Sequence, residues 1–375
     1  VDRRLFLASS LLFATFPLLA GAGEHLGLLV ERFPALGEPL TRLPLTEGPT
    51  PVTEAEELGD GVGLSRLFVK RDDLASRAYA GSKVRKLEWF LGQARAMGCT
   101  HLVTGGSVGS HHALATAIHG RRQGFSVELL LMPEPPCEEV ARVLRASAHF
   151  AQKIEYAPTA HALSEKWRRA MARHPATAYS IPLGGTSPLG NLAYVDAALE
   201  LERQVDEGCL PEPTRIYVPL GTMGCAVGLL LGLRLTHLRS RLVAVRASNL
   251  NTSSRVQFRR LYEATHRTMR ELDPSVPDLP MDESLFEIDG RHLGPGYAIA
   301  TREGTRAMRL ARESAGLVLE HTYTAKTMAA LIADAPKLRG EPVLFWNTHA
   351  GDPPECSLAP ERLPRELVGY VSHAR

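Results

Sequence analysis

Residues 215–235 read RIYVPLGTMGCAVGLLLGLRL. Arg215-Ile216-Tyr217-Val218 is a short apolar strand, Gly221-Thr222-Met223-Gly224-Cys225 is a glycine turn, and Cys225 to Leu235 has the length and apolar content of a buried helix. A strand that ends in glycines before a helix leaves the first backbone N–H groups without intrahelical partners. Those donors and the helix dipole hold a phosphate well. A dinucleotide would want an acid at the end of the next strand. That strand, Leu242 to Val245, runs into Arg246-Ala247-Ser248-Asn249. NAD is therefore disfavoured, and a ligand with a single phosphate fits better.

The same grammar extends outward. His101-Leu102-Val103 reads as a buried strand, Gly105-Gly106-Ser107-Val108-Gly109 as a turn, and Ser110 as the start of a helix running towards His119. Phe125 to Met132, Lys153 to Tyr156 and Ala178 to Ile181 are further strands. Strands alternating with amphipathic helices imply βαβ units and a mostly parallel sheet. Residues 249–281 are polar and read as a helix pair and a loop, closed by Pro274, Pro277 and Pro280.

The chain has 375 residues, 44% hydrophobic and 22% charged, which supplies a sizeable core and excludes global disorder. Forty-three basic against 41 acidic side chains, with no basic run, argue against a nucleic-acid partner. Only seven of the basic residues are lysines, so chemistry that needs an amine has few candidates. Cys99, Cys137, Cys209, Cys225 and Cys356 are scattered and contain no CxxC pair. Neither a disulfide framework nor a metal site is expected, and the adjacent His111 and His112 are poor joint ligands. Residues 1–27 carry Arg3-Arg4, an apolar run and small residues. That is the pattern of an export signal, with a twin-arginine resemblance; a mis-chosen start before a cytoplasmic protein is the alternative. No other stretch is long and apolar enough for a membrane span.

The chemistry centres on Lys70-Arg71-Asp72-Asp73-Leu74, followed by Gly81-Ser82-Lys83-Val84-Arg85-Lys86-Leu87-Glu88. Ser82 occupies an N-cap position, which puts Lys83 in the first helical turn. The positive end of the helix dipole suits an amine acting as a neutral nucleophile or base. This string resembles the lysine segment of the 1-aminocyclopropane-1-carboxylate (ACC) deaminase / D-cysteine desulfhydrase family of fold-type-II, tryptophan-synthase-β-like pyridoxal-phosphate enzymes. Residues 105–112, 181–190, 221–225, 294–297 and 321–326 are similar to that family's further motifs, in order. The resemblance covers about residues 30–352.

The resemblance implies an α/β protein of two domains with twisted, mostly parallel sheets flanked by helices. It places pyridoxal 5'-phosphate in the cleft between a larger domain, residues 28–84 and 188–375, and a smaller one, 85–187. It further implies a homodimer acting on a small amino acid. Lys83 would carry the cofactor and shuttle the α-proton, and Ser110 would hold the substrate carboxylate. Tyr297 and Tyr323 would line the substrate side, and Thr324 would meet the pyridine nitrogen. Gly221, Thr222, Met223, Gly224 and Cys225 would receive the phosphate, and His111 stands where an asparagine contacts the ring hydroxyl. Ser82, His111, Cys225 and residues 345–351 depart from the family pattern. A neutral hydroxyl at Thr324, where ACC deaminases use glutamate, favours α,β-elimination of the D-cysteine desulfhydrase kind over ACC cleavage. An impaired binder of the cofactor and amino acids is the alternative from another class.

Overall fold

The computed structural model describes residues 27–249, 252–356 and 363–372. The signal-like segment, Gly27 excepted, lies outside them. The described strands are β1 (Val52–Glu54), β2 (Leu67–Arg71), β3 (His101–Ser107), β4 (Ser126–Met132), β5 (Lys153–Tyr156), β6 (Ala178–Ser180), β7 (Arg215–Leu220), β8 (Arg241–Arg246), β9 (Phe286–Asp289) and β10 (Val343–Asn347). A six-stranded sheet has the order β1-β2-β10-β7-β8-β9, and a four-stranded sheet the order β5-β4-β3-β6. Only β1 runs antiparallel to its neighbour. Every other pairing is parallel, so the chain is α/β as its alternating pattern predicts.

The apolar helix of the opening stretch, Gly224–Leu233, is buried almost throughout. It packs on the helix Pro188–Asp206, and its glycines fall every fourth residue on the contact face. A Cβ at Gly228 would sit 2.3 Å from the Asn191 carbonyl oxygen, and one at Gly232 2.5 Å from the Ala198 Cβ. The two backbones can approach this closely only because no side chain intervenes.

Strand β2 shows how two-residue periodicity sorts charge. Lys70, and Asp72 just beyond the strand, point inward and are wholly buried, while Arg71 and Asp73 pair with each other at 2.8 Å. Inside, Arg85 bonds Asp72 at 2.9 Å and Glu200 at 2.8 Å, and Lys70 meets Glu200 at 2.5 Å. Tyr194 and Trp346 donate to the other oxygen of Asp72. This network ties the helix Ser82–Ala96 to β2, β10 and the helix Pro188–Asp206.

Three local expectations need correction. Gly105 and Gly106 belong to β3, not to a turn; they pair with Leu130 and Leu131. A Cβ on Gly105 would lie 2.9 Å from the Leu130 carbonyl oxygen and 3.0 Å from the Trp167 ring, so packing rather than bending demands glycine. Residues 255–272 form one helix instead of a pair, opened by a Ser254–Gln257 capping box. Gly81, not Ser82, caps the lysine helix: its φ of 83° and the nearness of the Ala350 backbone leave no room for a side chain there.

Candidate active site

The carboxyl ends of both sheets face one another, the position in which open α/β sheets bind ligands. Ser82 N–H donates to the Thr348 carbonyl (3.1 Å), joining the lysine helix to the exit of β10. Ser107, at the end of β3, lies 3.3 Å from the Tyr297 hydroxyl across the junction.

Lys83 is half-buried, and its Nζ donates to Ser82 Oγ at 3.2 Å. One turn on, Lys86 is fully buried and aimed at the 221–225 loop. Its Nζ reaches the Gly184 carbonyl at 3.2 Å, and a Cβ built on Gly224 would lie 2.7 Å from it. Burial pulls the Lys86 ammonium down to about 8, although Cys225 opposes the shift. Among the described residues it forms no ion pair. The loop beside it holds Met223 at φ 72°, a left-handed conformation uncommon for a non-glycine residue. Thr222 and Thr186 hydroxyls meet there at 2.7 Å, and the buried Asn191 Oδ1 has no partner. A buried cation, free helix-start N–H groups and two hydroxyls around a glycine-lined space suit a phosphate group. These residues therefore fit the phosphate end of the expected cofactor. The resemblance picks Lys83 from the quoted string, while the structure turns Lys86, three residues on, to the 221–225 loop.

Against Gly221, at the start of the same loop, Tyr323 donates to Tyr297 (3.2 Å), and Tyr297 faces Ser107. Burial pushes Tyr297 up to about 12 and Tyr323 well above its ordinary value, so both remain protonated. Lys326 holds the tyrosine loop in place by donating to the Leu293 and Gly296 carbonyls at 2.9 and 2.8 Å. Thr324 starts the helix Thr324–Asp334 and is wholly buried. Its hydroxyl donates to Glu320 Oε1 (3.0 Å) and accepts from the Glu320 N–H (2.9 Å). Burial, and then Glu139, raise the Glu320 carboxyl, while the N–H groups of Thr324 and Thr322 pull it the other way. Glu320 was not singled out in the sequence; its helix-capping bonds to residues 322–324 explain it.

Ser110 caps the helix His111–Arg122, accepting from Ala113 N–H at 3.2 Å while its own proton stays available. His111 turns its two nitrogens to Tyr79 (2.5 Å) and Glu139 (3.1 Å). His112 instead lies beside the lysines. Burial and then the two ammonium groups hold it well below its ordinary range, and its Nδ1 is buried without a partner.

A family model described as pyridoxal-phosphate dependent enzyme matches residues 43–349. The chain is 33% identical over 338 residues to nocardicin C-9' epimerase of Nocardia uniformis subsp. tsuyamanensis, covering 88% of this chain and 99% of that protein. Among solved structures, an ACC deaminase homologue superposes with a TM-score of 0.72 at 26% identity, over 87% of this chain and 94% of the other. Maize serine racemase shares the fold with a TM-score of 0.56 at 17% identity, over 81% and 88%.

Proposed function

Because the chain belongs to the pyridoxal-phosphate-dependent enzyme family, we propose that it removes the α-proton of a small amino acid and returns a proton to the opposite face, as an epimerase or racemase. The observation that carries this reading is the hydroxyl chain Tyr323–Tyr297–Ser107, whose two tyrosines burial keeps protonated. The name of the 33% identical relative supports it.

Pyridoxal phosphate, when bound, draws electrons from the substrate α-carbon and acidifies its C–H bond. In our reading Lys83 carries the cofactor and takes the proton on one side. The tyrosine pair donates on the other. Ser110 and the N–H groups of its helix grip the substrate carboxylate, which fixes the C–H direction. Lys86, Thr186 and the 221–225 loop hold the phosphate, and Thr324, governed by Glu320, meets the ring nitrogen.

A second reading is α,β-elimination of the D-cysteine desulfhydrase kind, giving a 2-oxo acid and ammonia. The neutral hydroxyl of Thr324 favours it, and disfavours ACC cleavage. A homodimer, export directed by residues 1–27, and domains comprising 28–84 with 188–375 and 85–187 are part of the same proposal.

The holoenzyme in D2O, incubated with single enantiomers of small amino acids, distinguishes the readings by proton NMR and 2-oxo acid assay. Loss of the α-proton signal with growth of the opposite enantiomer is the expected result. Pyruvate and ammonia would establish elimination instead. Retained cofactor with neither change would leave only a binder and defeat both.

A further inference from the structure

Three side chains from separate parts of the chain converge beside Ser110. His111 opens the serine helix, Glu139 lies in the first turn of the helix Glu138–Phe150, and His349 follows β10. One nitrogen or oxygen from each lies within 4.8 Å of the other two. His111 Nε2 and Glu139 Oε1 are 3.1 Å apart, and His111 Nδ1 meets the Tyr79 hydroxyl at 2.5 Å. His349 stands edge-on to His111, with ring centroids 5.1 Å apart. It is only 6% exposed, yet among the described residues its ring makes no hydrogen bond. Its ring nitrogens are therefore uncommitted within the protein and open to a ligand.

We propose that His111, Glu139 and His349 form a binding site for a divalent transition-metal ion of the zinc class. Two imidazoles and one carboxylate are a donor set that zinc favours and that magnesium and calcium do not. Bonds of about 2.0–2.1 Å place neighbouring ligand atoms about 3.3 Å apart in a tetrahedral site. The His111–Glu139 pair already has that spacing, and a small side-chain rotation brings His349 to it. Tyr79, on the far nitrogen of His111, is the outer partner that fixes which nitrogen stays free for the metal. The nearby cation Arg142 pairs with Asp352 at 2.8 Å, which offsets its repulsion of a second positive charge. Three protein ligands leave a position for water or a carboxylate oxygen. Because His349 comes from the six-stranded side and the other two from the four-stranded side, the ion would clamp the two together.

The test uses cofactor-loaded protein stripped of metal by chelation and dialysis. Calorimetric titration with Zn2+ should show one ion per chain, and Co2+ should give the visible d–d bands of a low-coordinate N/O site. His349→Ala and Glu139→Gln should each weaken Zn2+ binding at least tenfold, and Tyr79→Phe should weaken it about tenfold, as outer partners do. If His349→Ala fails to fold, by near-UV circular dichroism and cofactor content, Glu139→Gln decides, since it keeps the side chain's shape. A wild type that binds less than one ion per chain, or a well-folded Glu139→Gln protein that binds as the wild type does, overturns the site.

Discussion

Lys86 has a carbonyl and a thiol for company where a buried ammonium would ordinarily have a carboxylate. It is charged below about 8 and neutral above, so its hold on a phosphate is present at neutral pH and fades as pH rises past that value. Lys86→Met should weaken cofactor affinity about 10- to 100-fold, the worth of a charged hydrogen bond. It should also flatten the alkaline loss of cofactor seen by fluorescence titration of the apoprotein. Ser110→Ala should raise KM and lower kcat together in steady-state assays, because a loosened carboxylate misdirects the α-proton. An unchanged kcat/KM would reduce Ser110 to a helix cap worth about 1 kcal/mol. Most residues of the candidate site are legible in short motifs: the lysine string, the serine, the two tyrosines and the glycine turn. Glu139 and His349 are not. Neither belongs to a motif that points at the other, and only the fold brings them to His111.

The helix Ser82–Ala96 is held less by its own propensity than by the charges around Arg85. Burial alone would raise the Glu200 carboxyl, but Arg85 and Lys70 outweigh it and hold it at about 2. A depressed carboxyl stabilises the fold fully above its unfolded value near 4.5 and ceases to do so as pH falls towards 2. Glu200→Gln should therefore cost about 3–5 kcal/mol in urea unfolding at neutral pH, since it leaves the buried Lys70 without an ion pair and Arg85 with Asp72 alone. It should also remove part of the acid-limb slope. Gly228→Ala should cost about 1–3 kcal/mol, because its methyl group meets backbone that cannot give way. Elements were readable where apolar runs were bounded by polar turns. Strand β10 is not legible, because Phe345-Trp346-Asn347 stand in a segment that departs from the family pattern. Strand β3 was cut short because glycine reads as a turn when its real cause, a tryptophan from a neighbouring helix, is invisible in sequence.

Two sheets whose carboxyl ends share one cleft make every catalytic distance depend on loops that cross between them. Lys326 secures one of these from beneath. Lys326→Met should free the tyrosine loop and lower kcat/KM about 100-fold, the scale set by a displacement of about 1 Å, with little change in cofactor content. A proportionate loss of cofactor would point to global damage instead. Light scattering on purified protein should give twice the chain's mass if the proposed homodimer forms.

With Arg85 fastened to Asp72 and Glu200, the turn that bears Lys83 and Lys86 works like an axle pinned in its bearing. The two amines lie about 60° apart around that axle. Moving the reactive amine from one position to the other would require the helix to roll, and rolling would tear a guanidinium from its pocket.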